Sequence, residues 1–275
     1  MQAQPHIYFV IPAFNEAENL PCLFASLDTW SRNRGTDIHV VVVDDGSRDE
    51  TATIVREFKQ LPLTLVQHPV NLGVHRVFQS GFDAVAKLSA STEDMIVTLE
   101  ADNTSSLKIL DRMLELAHEG YELVLASCYA PGGYVVGTTL YRKFLSWCAN
   151  LILRSIPGMP RVYTFSSFYR VYRAPFLKHL LAAYGNRLIE MEGFVCVVEI
   201  LLKSARLGAR VSEVAMRLDG TQRKGPSKMK TIRTIRGYFR LLGWSLTGRL
   251  AHPRIAPAAD AVYKPVTTVT RPSSE

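Results

Sequence analysis

The chain has few cysteines, and their spacing does not suggest a structural role. Four of its 275 residues are cysteine: Cys22, Cys128, Cys148 and Cys196. They lie far apart and include no Cys-x-x-Cys pair, so neither a zinc site nor a disulfide framework is indicated. We therefore expect a protein of the reducing cytoplasm.

Long hydrophobic runs are also lacking. No stretch reaches the roughly 18 consecutive apolar residues of a membrane-spanning helix, and the N-terminus has no basic segment followed by an apolar one. Hydrophobic residues nevertheless make up 47% of the chain and charged residues 21%, a composition typical of a folded globular protein. We expect one folded domain with short appendages.

Glycine motifs for binding phosphate are missing. The turn after the first predicted strand, Pro12 to Glu16, contains no glycine, and the chain has neither Gly-x-Gly-x-x-Gly nor a P-loop. This excludes the usual dinucleotide and P-loop nucleotide sites, so bound phosphates would need a metal ion and basic side chains.

The charge balance favours an anionic partner. The net charge is +7, and basic residues gather between Arg223 and Arg249. That segment lacks the interleaved aromatic residues of a single-stranded nucleic-acid platform, so we do not expect nucleic acid to bind. A phosphorylated substrate and an acidic membrane surface remain.

Short β-branched runs alternate with amphipathic helical stretches over the first 130 residues. This alternation predicts an α/β fold with a doubly wound, mostly parallel sheet covered by helices on both faces. The predicted strands are Ile7–Ile11, Val40–Val43, Leu63–Val66, Met95–Leu99, Leu123–Ala126 and, later, Arg210–Leu218. The predicted helices are Glu16–Trp30, Asp49–Lys59, Gly73–Leu88, Ser105–His118, Tyr141–Ile156 and Gly193–Leu207.

Polar residues follow four of these strands, at the sheet edge where open α/β proteins bind ligands. The carboxylates among them are Glu16, Asp44, Asp45, Glu100 and Asp102. Carboxylates this close repel one another unless a cation or ligand donors compensate, and Mg²⁺ or Mn²⁺ would do so. Taken singly, the aspartates also suit helix N-caps and turns.

Four motifs occur in a known order: Ile11-Pro12-Ala13-Phe14-Asn15-Glu16, Val43-Asp44-Asp45-Gly46-Ser47, Asn71-x-Gly73 and Glu100-x-Asp102. The set resembles glycosyltransferase family 2. Further segments resemble its dolichyl-phosphate or polyprenyl-phosphate mannose synthase branch, and the likeness covers about residues 6–235. These segments are Tyr129 to Gly133, Arg142-Lys143 with Asn150, and Arg223 to Met229.

The resemblance implies a GT-A-like fold and an inverting, metal-dependent transfer from GDP-mannose or a UDP-sugar. Asp102 would ligate Mg²⁺ or Mn²⁺ through the donor pyrophosphate, and Glu100 would approach the metal or the ribose. Asp45 would contact the base, while Arg223 and Lys228 would close over the diphosphate. The substrate-binding residues implied are Pro12, Asn15, Glu16, Asp44, Asp45, Asn71, Gly73, Glu100, Arg142 and Ser227.

Three departures concern this assignment. Glu100 replaces the usual aspartate, Cys128 occupies the position of an arginine that grips the lipid phosphate, and Thr164 replaces another aspartate. They leave two alternatives open. One is a hydroxyl acceptor, for which Glu190 or Glu192 is the candidate base. His68 and His75, which flank the Asn71-Leu72-Gly73 turn, are considered for a catalytic role as well. The other is a non-catalytic nucleotide-sugar-binding protein on the same fold.

The C-terminal third contains an amphipathic stretch. Its apolar stripe suits either an anionic membrane or the protein's own core, and consists of Ile232, Ile235, Phe239, Leu242 and Leu246. We expect residues 1–235 to form the catalytic domain, 236–252 an amphipathic helix that associates with a membrane, and 253–275 a disordered tail. The protein would then be cytoplasmic. If its acceptor is a lipid, we expect it to lie peripherally on the cytoplasmic face of a membrane. The sequence gives no signal for oligomeric state.

Overall fold

The computed structural model describes residues 5–137, 146, 149–222, 231–250 and 252–253. Within this part of the chain, seven strands form one sheet and two form a separate ribbon. The sheet contains β1 (Ile7–Ala13), β2 (Ile38–Asp44), β3 (Leu63–Gln67), β4 (Met95–Thr98), β5 (Leu123–Ser127), β7 (Arg170–Arg173) and β8 (Val211–Ala215). The ribbon contains β6 (Tyr134–Val136) and β9 (Arg217–Asp219).

Helices cover both faces of the sheet. They are α1 (Leu20–Arg34), α2 (Thr51–Glu57), α3 (Val74–Leu88), α4 (Leu110–His118), α5 (Ala174–Tyr184), α6 (Cys196–Arg206) and α7 (Thr231–Leu246). Residues 149–154 are also helical. One core packs α3, α5, α6 and α7 on one face, and another packs α1, α2 and α4 on the opposite face.

The strand order is β3-β2-β1-β4-β7-β5-β8. Strands β1 to β4 are parallel, β5 and β8 are parallel, and β7 runs antiparallel between β4 and β5. The predicted doubly wound, mostly parallel α/β sheet is confirmed. Burial on both faces explains why β2 contains an uninterrupted run of four valines, Val40–Val43.

The chain packs closely where α3 crosses the sheet. Val77, Phe78 and Phe82 are buried against it, and Gly81 lies so near β1 that an added Cβ would overlap Val10. This contact fixes α3, whose first residue follows the predicted Asn71-Leu72-Gly73 turn.

The later part of the prediction needs correction. The single strand predicted over Arg210–Leu218 is two strands, β8 and β9, which belong to different sheets. Strands β6 and β7 and helix α5 were not predicted. The helix predicted over Tyr141–Ile156 falls partly outside the described residues, and its described part is helical over 149–154.

Candidate active site at the carboxyl edge of the sheet

The loops that follow β1, β2, β3 and β4 meet at one edge of the sheet, as parallel pairing requires. Pro12 lies in β1 opposite Val43 of β2, so the turns after these two strands begin side by side. The predicted convergence of polar strand ends is therefore present.

The first two loops are hydrogen-bonded to each other. The amide of Asn15 donates to Ser47 Oγ at 2.8 Å, and Asn15 Oδ1 accepts from the amide of Arg48 at 2.9 Å. The amide of Glu16 donates to Thr51 Oγ1 at 2.9 Å. These bonds hold the loops as one unit without any glycine in the first loop.

Asp44 shapes the turn after β2. Its side chain is fully buried. Oδ1 accepts from the amide of Ser47 at 2.9 Å, and Oδ2 accepts from Gln67 Nε2 at 3.3 Å. Asp44 therefore acts as a turn former, one of the two alternative roles considered for it. It does not act as the other, a helix N-cap, because α2 begins later, at Thr51, without a side-chain cap.

Asp45 organises the turn between β3 and α3. Oδ1 lies 2.8 Å from His68 Nδ1 and accepts from the amide of Leu72 at 2.9 Å, and Oδ2 accepts from the amide of Gly73 at 2.8 Å. His68 Nε2 lies 2.9 Å from Ser80 Oγ on α3. Asp45 therefore holds the turn that carries Asn71 and Gly73. His68 is part of that arrangement, and nothing in the sequence pattern distinguishes it from an ordinary satisfied histidine.

The turn after β4 carries the predicted metal pair. Asp102 is buried, and its Oδ1 accepts from the amide of Thr104 at 3.1 Å and from Thr104 Oγ1 at 2.6 Å. Ser105 Oγ donates to Glu100 Oε2 at 3.1 Å. The structure places both acids in one turn beside the first loop, because Asn103 Nδ2 donates to the carbonyl of Asn19 at 3.0 Å.

The two carboxylates offer oxygen ligands of the kind that hard divalent cations prefer. Among the residues that the structure describes, no three His, Cys, Asp or Glu side chains form a closed metal cluster. Mg²⁺ typically binds through one or two carboxylates together with substrate phosphates and water, so a pair of acids suffices.

The β6–β9 ribbon attaches to the same turn. The amide of Asp219 donates to the carbonyl of Thr104 at 3.0 Å, and Leu218 forms a β-bridge with Ser105. Because β6 and β9 are parallel, the segments that follow them both leave from one edge of the ribbon. Those segments contain four predicted site residues that lie outside the described residues: Arg142, Arg223, Ser227 and Lys228.

Two of the departures from the family pattern lie together beyond β5. Ser127 Oγ lies 2.7 Å from Thr164 Oγ1. Burial raises the pKa of the Cys128 thiol to about 11, although a hydrogen bond with Thr164 opposes the rise. The thiol is therefore protonated at neutral pH and is not an activated nucleophile.

A half-buried acid on the neighbouring strand β8 contacts this region. Glu213 of β8 accepts from the amides of Tyr163 and Thr164 at 2.7 and 2.9 Å. Burial raises the pKa of Glu213, and these amide bonds only partly counteract it. The sequence gave no reason to single out this residue.

Both candidate bases for a hydroxyl acceptor are held in ion pairs. Glu190 contacts Arg187 and Lys203 at 3.1 and 3.2 Å, and Glu192 contacts Arg233 of α7 at 2.9 Å. Burial would raise the pKa of Glu190, but the two cations outweigh it and lower the value. Such a carboxylate is a weak base.

Helix α7 packs on the core through residues that match the predicted stripe only in part, since Leu242 of that stripe packs against the core. Tyr238 and Leu241 are buried, whereas Phe239 and Leu246 of the predicted stripe are 56% and 65% exposed. Arg240 lies over the Trp244 ring at 4.7 Å. No helix in the described ranges is long and apolar enough to cross a membrane.

A family model described as Glycosyl transferase family 2 matches residues 8–186, more than half of the chain. Polyprenol monophosphomannose synthase of Mycolicibacterium smegmatis is 27% identical over 249 residues, which cover 89% of both chains. Undecaprenyl-phosphate mannosyltransferase of Micrococcus luteus is 30% identical over 207 residues, covering 74% of this chain and 80% of the relative.

Solved structures share the fold. Glucosyl-3-phosphoglycerate synthase of Mycobacterium tuberculosis, solved with Mn²⁺, UDP and phosphoglyceric acid, superposes with a TM-score of 0.59 at 15% identity, over 91% of this chain and 80% of that one. Mannosyl-3-phosphoglycerate synthase of Rubrobacter xylanophilus gives 0.57 at 13% identity, over 90% and 76%. At these identities the likeness establishes the architecture alone.

Proposed function

The chain belongs to glycosyl transferase family 2, and on this basis we propose that it moves a hexose from a nucleotide sugar to a polyprenyl phosphate with inversion. The relatives' names favour mannose as the sugar, so GDP-mannose is our first choice of donor and a UDP-sugar is the second. The observation that carries the proposal is the Glu100–Asp102 turn, which is bonded on one side to the α1 loop and on the other to the ribbon.

In the proposed reaction the donor half of the site binds the nucleotide. The interlocked loops around Asn15 and Ser47, with the Asp45-held turn beside them, form the wall against which the base and ribose would lie. Asp102, with Glu100 next to it, would hold Mg²⁺ or Mn²⁺. Bound there, the ion supplies charge neutralisation for the leaving nucleoside diphosphate.

The basic segments complete the charge balance. Arg223 and Lys228 follow β9, and Arg142 follows β6 within five residues of Gly137, the last described residue before it. Five extended residues span at most about 18 Å, which limits how far Arg142 can lie from the ribbon. We assign Arg223 and Lys228, with Ser227, to the diphosphate and Arg142 to the acceptor phosphate.

A phosphate monoester acceptor agrees with the state of the acids. Such an acceptor is already an anionic nucleophile at neutral pH and needs no general base. Glu190 and Glu192, the acids considered for that task, are both paired with cations. The names of the relatives, which include a polyprenol and an undecaprenyl-phosphate enzyme, support the same acceptor class.

A lipid acceptor also requires the site to approach a membrane. Phe239 and Leu246 are exposed on α7, and Arg236 and Arg240 lie exposed on the same helix. We propose that residues 1–235 are the catalytic unit and that 236–252 contact an anionic membrane surface peripherally. Flotation with vesicles containing anionic lipid should recover the protein. Replacing both Phe239 and Leu246 by Ser should reduce this recovery more than raising the salt concentration does for the wild-type protein.

The enzymatic test is a donor screen. Purified full-length protein with Mn²⁺ should release nucleoside diphosphate from one nucleotide sugar, faster when a short polyprenyl phosphate is present. Asp102→Ala should abolish this, whereas Asp83→Ala, an exposed acid on α3, should not. Full activity in Asp102→Ala would overturn the metal assignment.

The neutral Cys128 and Thr164 favour one competing outcome, in which the donor binds without transfer to a lipid phosphate. Tight, metal-dependent nucleotide binding with no turnover across donors and lipid acceptors would support a binding protein. Turnover only with a sugar hydroxyl acceptor would instead identify a different transferase of the same family.

A further inference from the structure

Asn103 has a backbone conformation that most residues avoid. Its φ is 59°, and in the described part of the chain the only other non-glycine residue with a positive φ is Asn15, at 52°. The left-handed region is unfavourable for most L-residues, and asparagine tolerates it better than most. Both asparagines lie in loops of the candidate site, where such conformations commonly accompany function.

The conformation of Asn103 has a visible effect on its neighbour. A positive φ at this position turns the chain so that the amide of Thr104 returns to Asp102 Oδ1, at 3.1 Å. This is the geometry of a turn in which an aspartate side chain replaces a backbone carbonyl. The orientation of the Asp102 carboxylate is therefore set by the turn itself.

The side chain of Asn103 joins that turn to the donor loop. Its Nδ2 donates to the carbonyl of Asn19 at 3.0 Å, and Asn19 is buried where α1 begins. Asn19 Nδ2 in turn donates to Glu16 Oε2 at 2.6 Å. A continuous hydrogen-bonded path thus runs from the Asp102 turn to Glu16 in the predicted donor pocket.

We propose that Asn103 is a positioning residue that holds Asp102 ready for the divalent ion and fixes its place relative to the donor loop. This rests on the proposed function, which assigns Asp102 to the metal. Without the hydrogen bond from Asn103 to Asn19, the turn relaxes when no metal is bound, and metal binding must then restore its conformation. Affinity for the ion falls, while the fully loaded site keeps its geometry.

Two substitutions separate the contributions. Asn103→Gly keeps the left-handed backbone and loses the bond to Asn19. Asn103→Ala loses the bond and also disfavours the backbone conformation. Asn33→Ala is the matched control, because Asn33 is exposed on α1.

The measurement is the Mn²⁺ dissociation constant of the full-length protein by calorimetry, with GDP or UDP present, together with the Mn²⁺ dependence of the transfer rate. Asn103→Gly should bind Mn²⁺ about two- to tenfold more weakly, the range that one hydrogen bond accounts for. Asn103→Ala should bind it more weakly again. Saturating Mn²⁺ should restore kcat in both variants.

The outcomes distinguish this inference from the proposed function. If both Asn103 variants keep the wild-type Mn²⁺ affinity while Asp102→Ala loses it, Asn103 has no positioning role and the metal assignment stands. A lower melting temperature with unchanged Mn²⁺ affinity would likewise make its role purely structural. If wild type and Asp102→Ala bind Mn²⁺ equally, the metal assignment fails and the role of Asn103 fails with it.

Discussion

Replacing Asp45 by asparagine should destabilise the protein although the two side chains have the same shape. Asp45 is only 3% exposed, and its two oxygens face three donors: His68 Nδ1 and the amides of Leu72 and Gly73. An asparagine has one oxygen and one NH₂ group. In either orientation the NH₂ faces a backbone amide, so at least one part-buried N–H loses its acceptor.

The magnitude follows from these contacts. One buried amide without an acceptor costs about 1–3 kcal/mol, and loss of the charge-assisted bonds adds to it. We therefore expect Asp45→Asn to lower the free energy of unfolding by roughly 2–4 kcal/mol. For a chain of this length that corresponds to a fall of about 4–8 °C in melting temperature.

The chain offers a matched control in a second Asp–His pair. Asp37 Oδ2 lies 3.9 Å from His6 Nε2, and the side chains are 72% and 45% exposed. Asp37→Asn should change stability by no more than about 0.5 kcal/mol, as an exposed ion pair does. Urea unfolding of both variants measures the difference. Equal effects would show that Asp45 does not hold the turn as argued.

Two further predictions concern packing and pH. Gly237→Ala places a Cβ against Val195 and should lower the free energy of unfolding by about 1–3 kcal/mol through overpacking. Gly243→Ala, with open space around it, should instead gain up to about 1 kcal/mol through higher helix propensity. Equal melting temperatures for the two variants would contradict the packing of α7. Burial would raise the pKa of Asp49, but hydrogen bonds from Thr51 and Ala17 outweigh it and lower the value from 3.8. Asp49 therefore stabilises the fold above pH 4, and this contribution is lost as the pH falls through the lowered value. The stability gap between wild type and Asp49→Asn should close below pH 4 in urea titrations, and a gap independent of pH would argue against these bonds.

The convergence of the polar strand ends was predictable because it follows from local rules. Parallel strands bring their carboxyl ends to one edge, so residues that directly follow β1, β2 and β4 had to meet. The β-branched runs that mark these strands are strong signals, since both faces of the sheet are buried. What the sequence did not show is how the acids are used: Asp45 ties a turn through His68, which is 23 residues away.

The later strands were missed or merged for physical reasons. Strand β7 has four residues and begins and ends with arginine, so it carries little hydrophobic periodicity. Its place between β4 and β5 is fixed by tertiary pairing. Between β8 and β9 the pattern continues through Met216, and only the departure of β9 to pair with β6 reveals two strands. The β6–β9 ribbon, which is bonded to the Asp102 turn, therefore had no sequence signal of its own.

The acceptor side shows why two departures from the family pattern should be considered together. Cys128 and Thr164 are 36 positions apart, yet they lie in contact, and Ser127 and Glu213 bind Thr164 from either side. The family resemblance implies an arginine and an aspartate at these two positions in the synthases. Losing one charge from such a pair would leave the other buried without a partner, which is strongly destabilising. Exchange of both for a neutral pair would keep the local net charge. Cys128 and Thr164 therefore belong to one neutral, hydrogen-bonded group, and a substitution at either position should be judged by its effect on both.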